Sequence, residues 1–483
     1  MWTRACIGQE ASASFNENIA YGHTELSMTV TLHIHHPSSS GIAGTELELD
    51  DLVARVRQAW IRTRYLRPEV AVEMDRHASA TLPQTFRYRV LSDQQSLRKW
   101  VEHTFVVLRL GEPGVSSYEE VEAYTYNRAL PTEGKQSMLY LILPRPGDDT
   151  DRKAHLIWNV AHAVTDGGSI VEMYNILLQC VIDAVPTSDY DSIYVPTTEE
   201  LDVFARLPRS IVTAYEKQHK PTPSDVAQAV EAAKANGQLI SDKISESLAL
   251  TAASSWTKRK HETICILRTL YASESRELLR FAKSVKSGVT YLASAATIMA
   301  TAETFPERKP SSSGALMGMV RNARRWLSRE YLTPLGSDAV FVWVPVNTSV
   351  SLEPSVARLS DLISTAHQIR SELDRHLTTP HCLSSWPFVE RGAIAGLTEQ
   401  WRQIEAANTA CPPLTEDQLA KIIGPQAPGF SSIGVFNIQP RFEPRSASAR
   451  ESGLWLERMD AKHLGRQVNA SPWMSMLDRK SVV

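Results

Sequence analysis

The sequence predicts an α+β protein, a two-layer α/β fold of two similar halves, each with a mixed sheet and packed helices. The chain has 483 residues, more than one domain usually holds. Apolar runs rich in β-branched residues alternate with segments of helical apolar spacing. A proline-containing stretch of lower apolar density divides them near the middle. We therefore assign residues 1–195 to an N-terminal half, 196–255 to a crossover or linker region and 256–483 to a C-terminal half.

The first half is expected to alternate strands and helices. Residues 24–35 contain the alternating run VTLHIH, which is typical of a strand, and residues 46–65 carry apolar side chains on one helical stripe. The other predicted elements are strands at 86–91, 138–143 and 155–160 and helices at 94–105 and 170–181. A turn rich in Pro, Gly and Asp separates two of these strands, 138–143 and 155–160, which predicts an antiparallel hairpin.

The crossover region is predicted to contain one polar helix near residues 226–235. The second half then begins with a strand at 262–269. The elements predicted after it are helices at 274–286, 289–303 and 360–376 and strands at 315–321, 339–347 and 432–438. The second half, like the first, therefore contains both strands and helices, so we expect one mixed sheet in each half.

The charge balance and the cysteines exclude several classes of protein. Lys and Arg number 51 and Asp and Glu 54, which leaves a net charge of −3 at pH 7. Proteins that coat nucleic acid or an anionic membrane carry a strong excess of positive charge, so we expect neither partner. The five cysteines form no C-x-x-C pair, which indicates free thiols rather than a disulfide scaffold or a metal site.

The apolar stretches do not predict a membrane-spanning helix, which needs about 20 nearly uncharged residues. The first residues, MWTRACIGQEASASF, contain no apolar segment of the kind found in secretory signals. Together with 43% apolar and 22% charged residues, these features predict a cytoplasmic enzyme.

The segment HLIWNVAHAVTDGG, residues 155–168, combines groups that suggest chemistry. A predicted strand ends near His162, whose imidazole has an ordinary pKa near 6.5 and can accept a proton at neutral pH. Asp166 precedes a predicted helix, and Gly167 and Gly168 keep the approach free of side chains. The simpler alternatives are a structural histidine and an aspartate that only caps the helix.

The run H-A-V-T-D-G resembles the H-x-x-x-D-G signature of the chloramphenicol-acetyltransferase-like superfamily. That superfamily includes the BAHD acyltransferases, fungal trichothecene O-acetyltransferases, carnitine acyltransferases and the condensation domains of nonribosomal peptide synthetases. Four further segments resemble superfamily elements in the expected order: ARVRQAWIRTRYLRPEVAVE at 54–73, NARRWL at 322–327, VPVN at 344–347 and SSIGV at 431–435. The resemblance covers most of the chain and implies a substrate channel between the halves, with His162 at its midpoint.

The resemblance also implies roles for individual residues. His162 would be the general base that deprotonates the acceptor hydroxyl or amine, which then attacks the thioester of an acyl donor. Asp166 would orient the loop through a salt bridge to Arg324, and Gly167 would leave room for the thioester. Acyl-CoA would be a co-substrate, with no permanently bound cofactor and no metal.

Three further residues are assigned supporting roles by this resemblance. Asn347 belongs to the P-V-N-like strand, and Ser432 would donate a hydrogen bond to the oxyanion, or only satisfy its hydroxyl within its own strand. Arg325 lies in a run of arginines that could contact the phosphates of coenzyme A or form a solvated edge.

Ala161 replaces the first histidine of the H-H-x-x-x-D-G form, and the D-F-G-W-G element of the plant BAHD enzymes is absent. The sequence is therefore most similar to fungal secondary-metabolite O-acyltransferases of the trichothecene 15-O-acetyltransferase type. We expect a monomer that transfers an acyl group to a small-molecule acceptor, and acetyl is the acyl group that the resemblance favours. The alternatives are a condensation or release catalyst that depends on an acyl carrier protein, a cyclase or pericyclase on the same scaffold, and an inactive binding protein.

Overall fold

The computed structural model describes residues 1–19, 25–35, 46–74, 84–131, 134–145, 153–184, 196–244, 263–304, 315–331, 339–346, 357–378, 381–408, 429–435, 438–445, 454–465 and 473–478. The strands in these residues are β1 (Trp2–Ala5), β2 (Leu26–His35), β3 (Thr85–Tyr88), β4 (Phe105–Arg109), β5 (Ser137–Leu143), β6 (Lys153–Val160), β7 (Ala315–Asn322), β8 (Ala339–Val346), β9 (Gly429–Val435), β10 (Arg441–Phe442), β11 (Trp455–Gly465) and β12 (Trp473–Asp478).

The helices of the described residues are distributed along the whole chain. They are α1 (Gln9–Ile19), α2 (Glu46–Leu66), α3 (Gln94–Thr104), α4 (Tyr118–Asn127), α5 (Gly167–Asp183), α6 (Thr198–Leu201), α7 (Ile211–His219), α8 (Pro223–Ile244), α9 (Ala272–Ser284), α10 (Val289–Thr304), α11 (Ala357–Thr378) and α12 (Cys382–Asn408). Within these described parts, no helix combines the length and apolarity that crossing a membrane requires.

Two mixed sheets organise the fold, as the sequence predicts. The larger has the order β10-β11-β2-β6-β5-β4, in which β4 and β5 are parallel and the other neighbours antiparallel. The smaller has the order β12-β9-β7-β8, with β7 and β8 antiparallel and the other neighbours parallel. The predicted hairpin of β5 and β6 is confirmed by their antiparallel register. A separate ribbon pairs β1 with β3.

The core of the larger sheet explains why β2 alternates in sequence. Its residues Met28 and Val30 are completely buried, and the hydroxyl of Tyr174 in α5 donates a 2.7 Å hydrogen bond to the carbonyl of Met28. Trp60 of α2 meets Trp158 of β6 edge-on, with ring centroids 5.6 Å apart. The helices α2 and α5 are thereby fixed on one face of the sheet, and the start of α5 is held close to the end of β6.

A return of the chain to the first sheet is not visible in the sequence pattern. Residues 441–442 and 455–465, assigned by sequence to the second half, form β10 and β11 of the larger sheet, where β11 pairs with β2. A break in register between Arg458 and Asp460 shifts the side-chain alternation of β11. Such a bulge removes the simple period of two by which a strand is recognised. The limits of the two halves remain a prediction.

Most predicted elements have counterparts in the structure, but the crossover and the start of the second half differ. Residues 263–269 form no strand; Ile264 and Ile266 are largely exposed there, because no described strand pairs with them. The polar helix predicted near residues 226–235 is part of the longer helix α8, and a further helix, α7, precedes it in the crossover region. The long helix α12 was not predicted, since Pro387 and two glycines interrupt its helical sequence pattern.

A small apolar cluster joins the crossover region to the second half. Ile211 and Tyr215 of α7 pack in one cluster with Ala323 and Leu327 and with Leu383 of α12. Ala323 begins the short 3₁₀ helix at 323–326, and Leu327 directly follows it. This cluster fixes the turn that follows β7. Of the five cysteines, four lie in the described residues and are free thiols, and Cys411 lies outside them.

Candidate active site

The histidine of the signature lies in a tight turn at the end of β6. The backbone N–H of Ala161 donates to the carbonyl of Gln136 at 2.9 Å, and the N–H of Val164 donates to the carbonyl of Ala161 at 3.2 Å. The second of these bonds closes a turn over residues 161–164, with His162 at its second position. The side chain of His162 is half-buried. A rigid strand therefore delivers this imidazole to a place that is still accessible.

Burial lowers the pKa of His162 below its ordinary value of 6.5. Its hydrogen bonding with its own backbone and with that of Thr165, together with the negative charge of Asp166, opposes this change without reversing it. The imidazole is therefore neutral at neutral pH. A neutral imidazole can accept a proton from an alcohol.

Asp166 caps the helix that follows the turn. Its Oδ1 accepts hydrogen bonds from the backbone N–H groups of Gly168 at 2.9 Å and Ser169 at 2.8 Å. The carboxylate is buried, with 6% of its side chain exposed. Capping α5 is thus one structural role of Asp166.

Arg324 binds the same carboxylate with both ends of its guanidinium. Nη1 donates to Oδ2 of Asp166 at 3.1 Å and Nη2 to Oδ1 at 3.2 Å. Nη2 also donates to the hydroxyl of Ser169. The structure therefore contains the ion pair that the family resemblance implies. Such paired bonds fix the orientation of a carboxylate as well as its charge.

The position of Arg324 depends on how β7 ends. The side chain of Asn322 accepts a 2.9 Å hydrogen bond from the backbone N–H of Arg324 and so caps the 3₁₀ helix at 323–326. Because these residues are helical, Arg324 and Arg325 do not alternate as in a strand. Arg325 is exposed to solvent, as is Arg329.

Close packing at the start of α5 favours a glycine at position 168. A Cβ on Gly168 would lie 3.1 Å from Nη1 of Arg324 and 3.4 Å from Oδ1 of Asp166. Gly168 thus leaves room for the guanidinium, whereas the resemblance assigned a space-making role only to Gly167. The contact of Ser169 with Arg324 is the contribution that sequence reasoning missed, although the G-G-S run after Asp166 was visible.

Two of the predicted supporting residues cannot be placed at the site by their side chains. Asn347 lies outside the described residues. The backbone of Ser432 lies in β9, in register with Met476 of β12, and its side chain is outside the description. The structure therefore brings together His162, Asp166 and Arg324.

The fold is that of the chloramphenicol-acetyltransferase-like superfamily. The structure resembles that of TRI3 trichothecene 15-O-acetyltransferase from Fusarium sporotrichioides, with a TM-score of 0.72 at 16% identity, covering 99% of this chain and 89% of that chain. It also resembles the first condensation domain of the calcium-dependent antibiotic synthetase, with a TM-score of 0.54 at 10% identity, covering 99% of this chain and 87% of that one.

Two curated relatives give the family. "Acyl-CoA-dependent acyltransferase MAC1" of Pseudozyma antarctica (strain T-34) is 63% identical over 484 residues, which cover 99% of this chain and 88% of that protein. The protein of the same name from Mycosarcoma maydis is 60% identical over 485 residues, covering 99% and 82%. No family model matches the sequence. The chain belongs to the MAC1 family of acyl-CoA-dependent acyltransferases, so acyl-CoA is its co-substrate and the cyclase alternative is not favoured.

Proposed function

We propose that His162 is the general base of the acyl transfer. The observation that carries this proposal is a half-buried imidazole of lowered pKa on a turn that leads directly to the Asp166–Arg324 ion pair. Asp166 is occupied by Arg324 and by the backbone of α5, so it orients the loop while His162 handles the proton.

In this mechanism His162 removes the proton from the acceptor hydroxyl, and the oxygen attacks the thioester carbonyl carbon of acyl-CoA. The tetrahedral intermediate then breaks its carbon–sulfur bond, and the imidazolium returns the proton to the coenzyme A thiolate. We assign the hydroxyl of Ser432 to the oxyanion, a contact worth about 3 kcal/mol in other enzymes. Gly167 would leave space for the thioester, and Asn347 would give structural support to the active site.

The acceptor is proposed to be the hydroxyl of a small secondary metabolite that reaches His162 through a channel between the two halves. The support is the architecture shared with a trichothecene 15-O-acetyltransferase. The exposed Arg325 is assigned to a phosphate of coenzyme A, because a guanidinium binds phosphate through paired hydrogen bonds. An acceptor amine would use the same proton transfer.

We further propose that the acyl group arrives on free coenzyme A without a carrier protein, and that the protein works as a cytoplasmic monomer. The support for the donor is the name of the two relatives. Saturable kinetics with acyl-CoA alone would support free delivery, and turnover only after addition of an acyl carrier protein would contradict it. Light scattering during size-exclusion chromatography measures the oligomeric state.

The experiment that tests the proposed base measures transfer by mass spectrometry, with acyl-CoA donors of several chain lengths and a panel of alcohols. The His162→Ala protein should keep its fold and lose about 10²–10⁴-fold in turnover, the usual contribution of a general base. His367→Ala is the matched control, because His367 lies on α11, is exposed there and makes a hydrogen bond with the carbonyl of Val285. Near-normal turnover of the folded His162→Ala protein would contradict the proposal, and a product of unchanged mass would contradict acyl transfer.

A further inference from the structure

A buried glutamate of the first helix contacts the turn that carries His162. Glu17 of α1 is only 2% exposed. Its Oε1 accepts a hydrogen bond from the backbone N–H of Ala163, with an N–O distance of 3.0 Å. Ala163 directly follows His162 and is itself completely buried. Burying a carboxylate is costly unless it accepts hydrogen bonds, so this contact needs an explanation beyond packing.

The hydrogen bond between Glu17 and Ala163 holds the middle of the turn, whereas other contacts hold its two ends. At the start of the turn Ala161 donates to the carbonyl of Gln136, and beyond its end Asp166 is bound by Arg324. The first of these anchors continues the strand pairing, and the second fixes the start of α5. The carboxylate of Glu17 holds the peptide unit that joins His162 to Ala163.

We propose that Glu17 is a positioning residue that holds the turn 161–164 and so keeps the imidazole of His162 in its half-buried setting. Without this carboxylate, the N–H of Ala163 would be buried with no acceptor from α1, and a buried donor without an acceptor is destabilising. The turn would then open toward water. Only the effect on turnover rests on the proposed role of His162 as base.

Displacement of the His162 ring and removal of the charge of Glu17 change the pKa of His162 in opposite directions. The charged groups that the structure places around the turn are Glu17 from α1, Asp166 on the loop itself and Arg324 from the turn after β7. Removing a negative charge disfavours the imidazolium and lowers the pKa of His162, whereas admitting water raises it toward 6.5. The two effects can therefore be separated by the choice of variant.

The test follows the titration of His162 by NMR in histidine-labelled protein, with the signal assigned by its absence from the His162→Gln variant. Glu17→Ala removes both hydrogen bond and charge, and we expect the pKa of His162 to rise. Glu17→Gln keeps an accepting oxygen, and we expect an unchanged or lower pKa. Turnover should fall about 10-fold or more in Glu17→Ala at an unchanged KM for acyl-CoA, because small misplacements of a reacting group are costly.

The matched control is Glu10→Gln on the same helix. Glu10 is equally buried, but its carboxylate binds Arg4 instead of the turn. This variant should lower the melting temperature and leave the pKa of His162 unchanged. Glu17→Asp keeps the charge but shortens the side chain by one methylene, which withdraws the carboxylate from Ala163. We expect the pKa of His162 to rise in this variant too, so it replaces Glu17→Ala if that protein does not fold.

An unchanged or lowered pKa of His162 in folded Glu17→Ala and Glu17→Asp would overturn the proposal. The titration reports the position of the ring whether or not His162 acts as a base. Failure of the proposed function would appear instead as normal turnover of His162→Ala, with the titration results intact. The two failures are therefore distinguishable.

Discussion

The guanidinium of Arg324 meets both carboxylate oxygens of Asp166, at 3.1 and 3.2 Å, and the two residues lie 158 positions apart in sequence. Asp166 stands at the start of α5, beside the larger sheet, and Arg324 follows β7 of the smaller sheet. The ion pair therefore ties a loop of one sheet to a loop of the other, directly next to His162.

Removing either partner of this ion pair should lower both stability and activity. An unpaired buried charge costs about 3–5 kcal/mol; Arg324 is 22% exposed, so we expect about 3 kcal/mol. Asp166→Ala also removes a helix cap, which costs about 1 kcal/mol more. Asp166→Asn keeps the cap and loses the ion pair, and so separates the two contributions. Urea unfolding of both single variants and the double variant measures the coupling, and strictly additive losses would contradict the pairing.

An alanine at Gly168 should disturb the guanidinium of Arg324. The new Cβ would lie 3.1 Å from Nη1, so the side chain has to shift and the bond to Asp166 lengthens. We expect lower turnover, with a small change in stability because replacing glycine by alanine in a helix is favourable by about 0.5–1 kcal/mol. In an Arg324→Ala background the contact is absent, and Gly168→Ala should then stabilise. Destabilisation of equal size in both backgrounds would contradict this explanation.

The crossover helix α7 holds the turn that carries Arg324 from the other side. The side-chain amide of Gln218 donates to the carbonyl of Trp326 at 3.2 Å, and its oxygen accepts from the N–H of Ser328 at 2.7 Å. Gln218→Ala should cost about 1–3 kcal/mol, the value of two such bonds, and should lower turnover less than Arg324→Ala does. Lys217→Ala, on an exposed neighbour, is the control. Equal melting temperatures of the two variants would show that Gln218 does not brace the turn.

The order of elements could be predicted from sequence because it depends on local patterns, such as alternation in β2 and helical spacing in α2 and α5. The ion pair could be predicted because two short motifs, around Asp166 and Arg324, resemble those of a known superfamily. The contribution of β11 to the first sheet could not, because a bulge breaks its alternation and its partner β2 lies more than 400 residues earlier. Glu17 carries no local signal at all, since only tertiary packing brings α1 to the turn.

The lowered pKa of His162 makes a prediction about pH. A histidine whose pKa is lower in the folded protein binds fewer protons there than in the unfolded chain. Stability therefore falls as the pH drops below the unfolded value of about 6.5, and it is fully present above that value. Activity that needs a neutral His162 should also fall as the pH is lowered. The midpoint of this acid limb of the kcat/KM profile should lie below pH 6.5.

The His162→Gln protein isolates this contribution, because every other titrating group of the chain stays in place. Between pH 8 and pH 5 the natural protein should lose more stability than the variant, by up to about 1.4 kcal/mol for each unit by which the pKa is lowered. Urea unfolding at each pH measures the difference between the two proteins. If the natural protein instead gains stability relative to the variant as the pH falls, the imidazolium is favoured in the folded state. The pKa of His162 in the folded protein would then lie above 6.5, which would contradict the lowering that its burial causes.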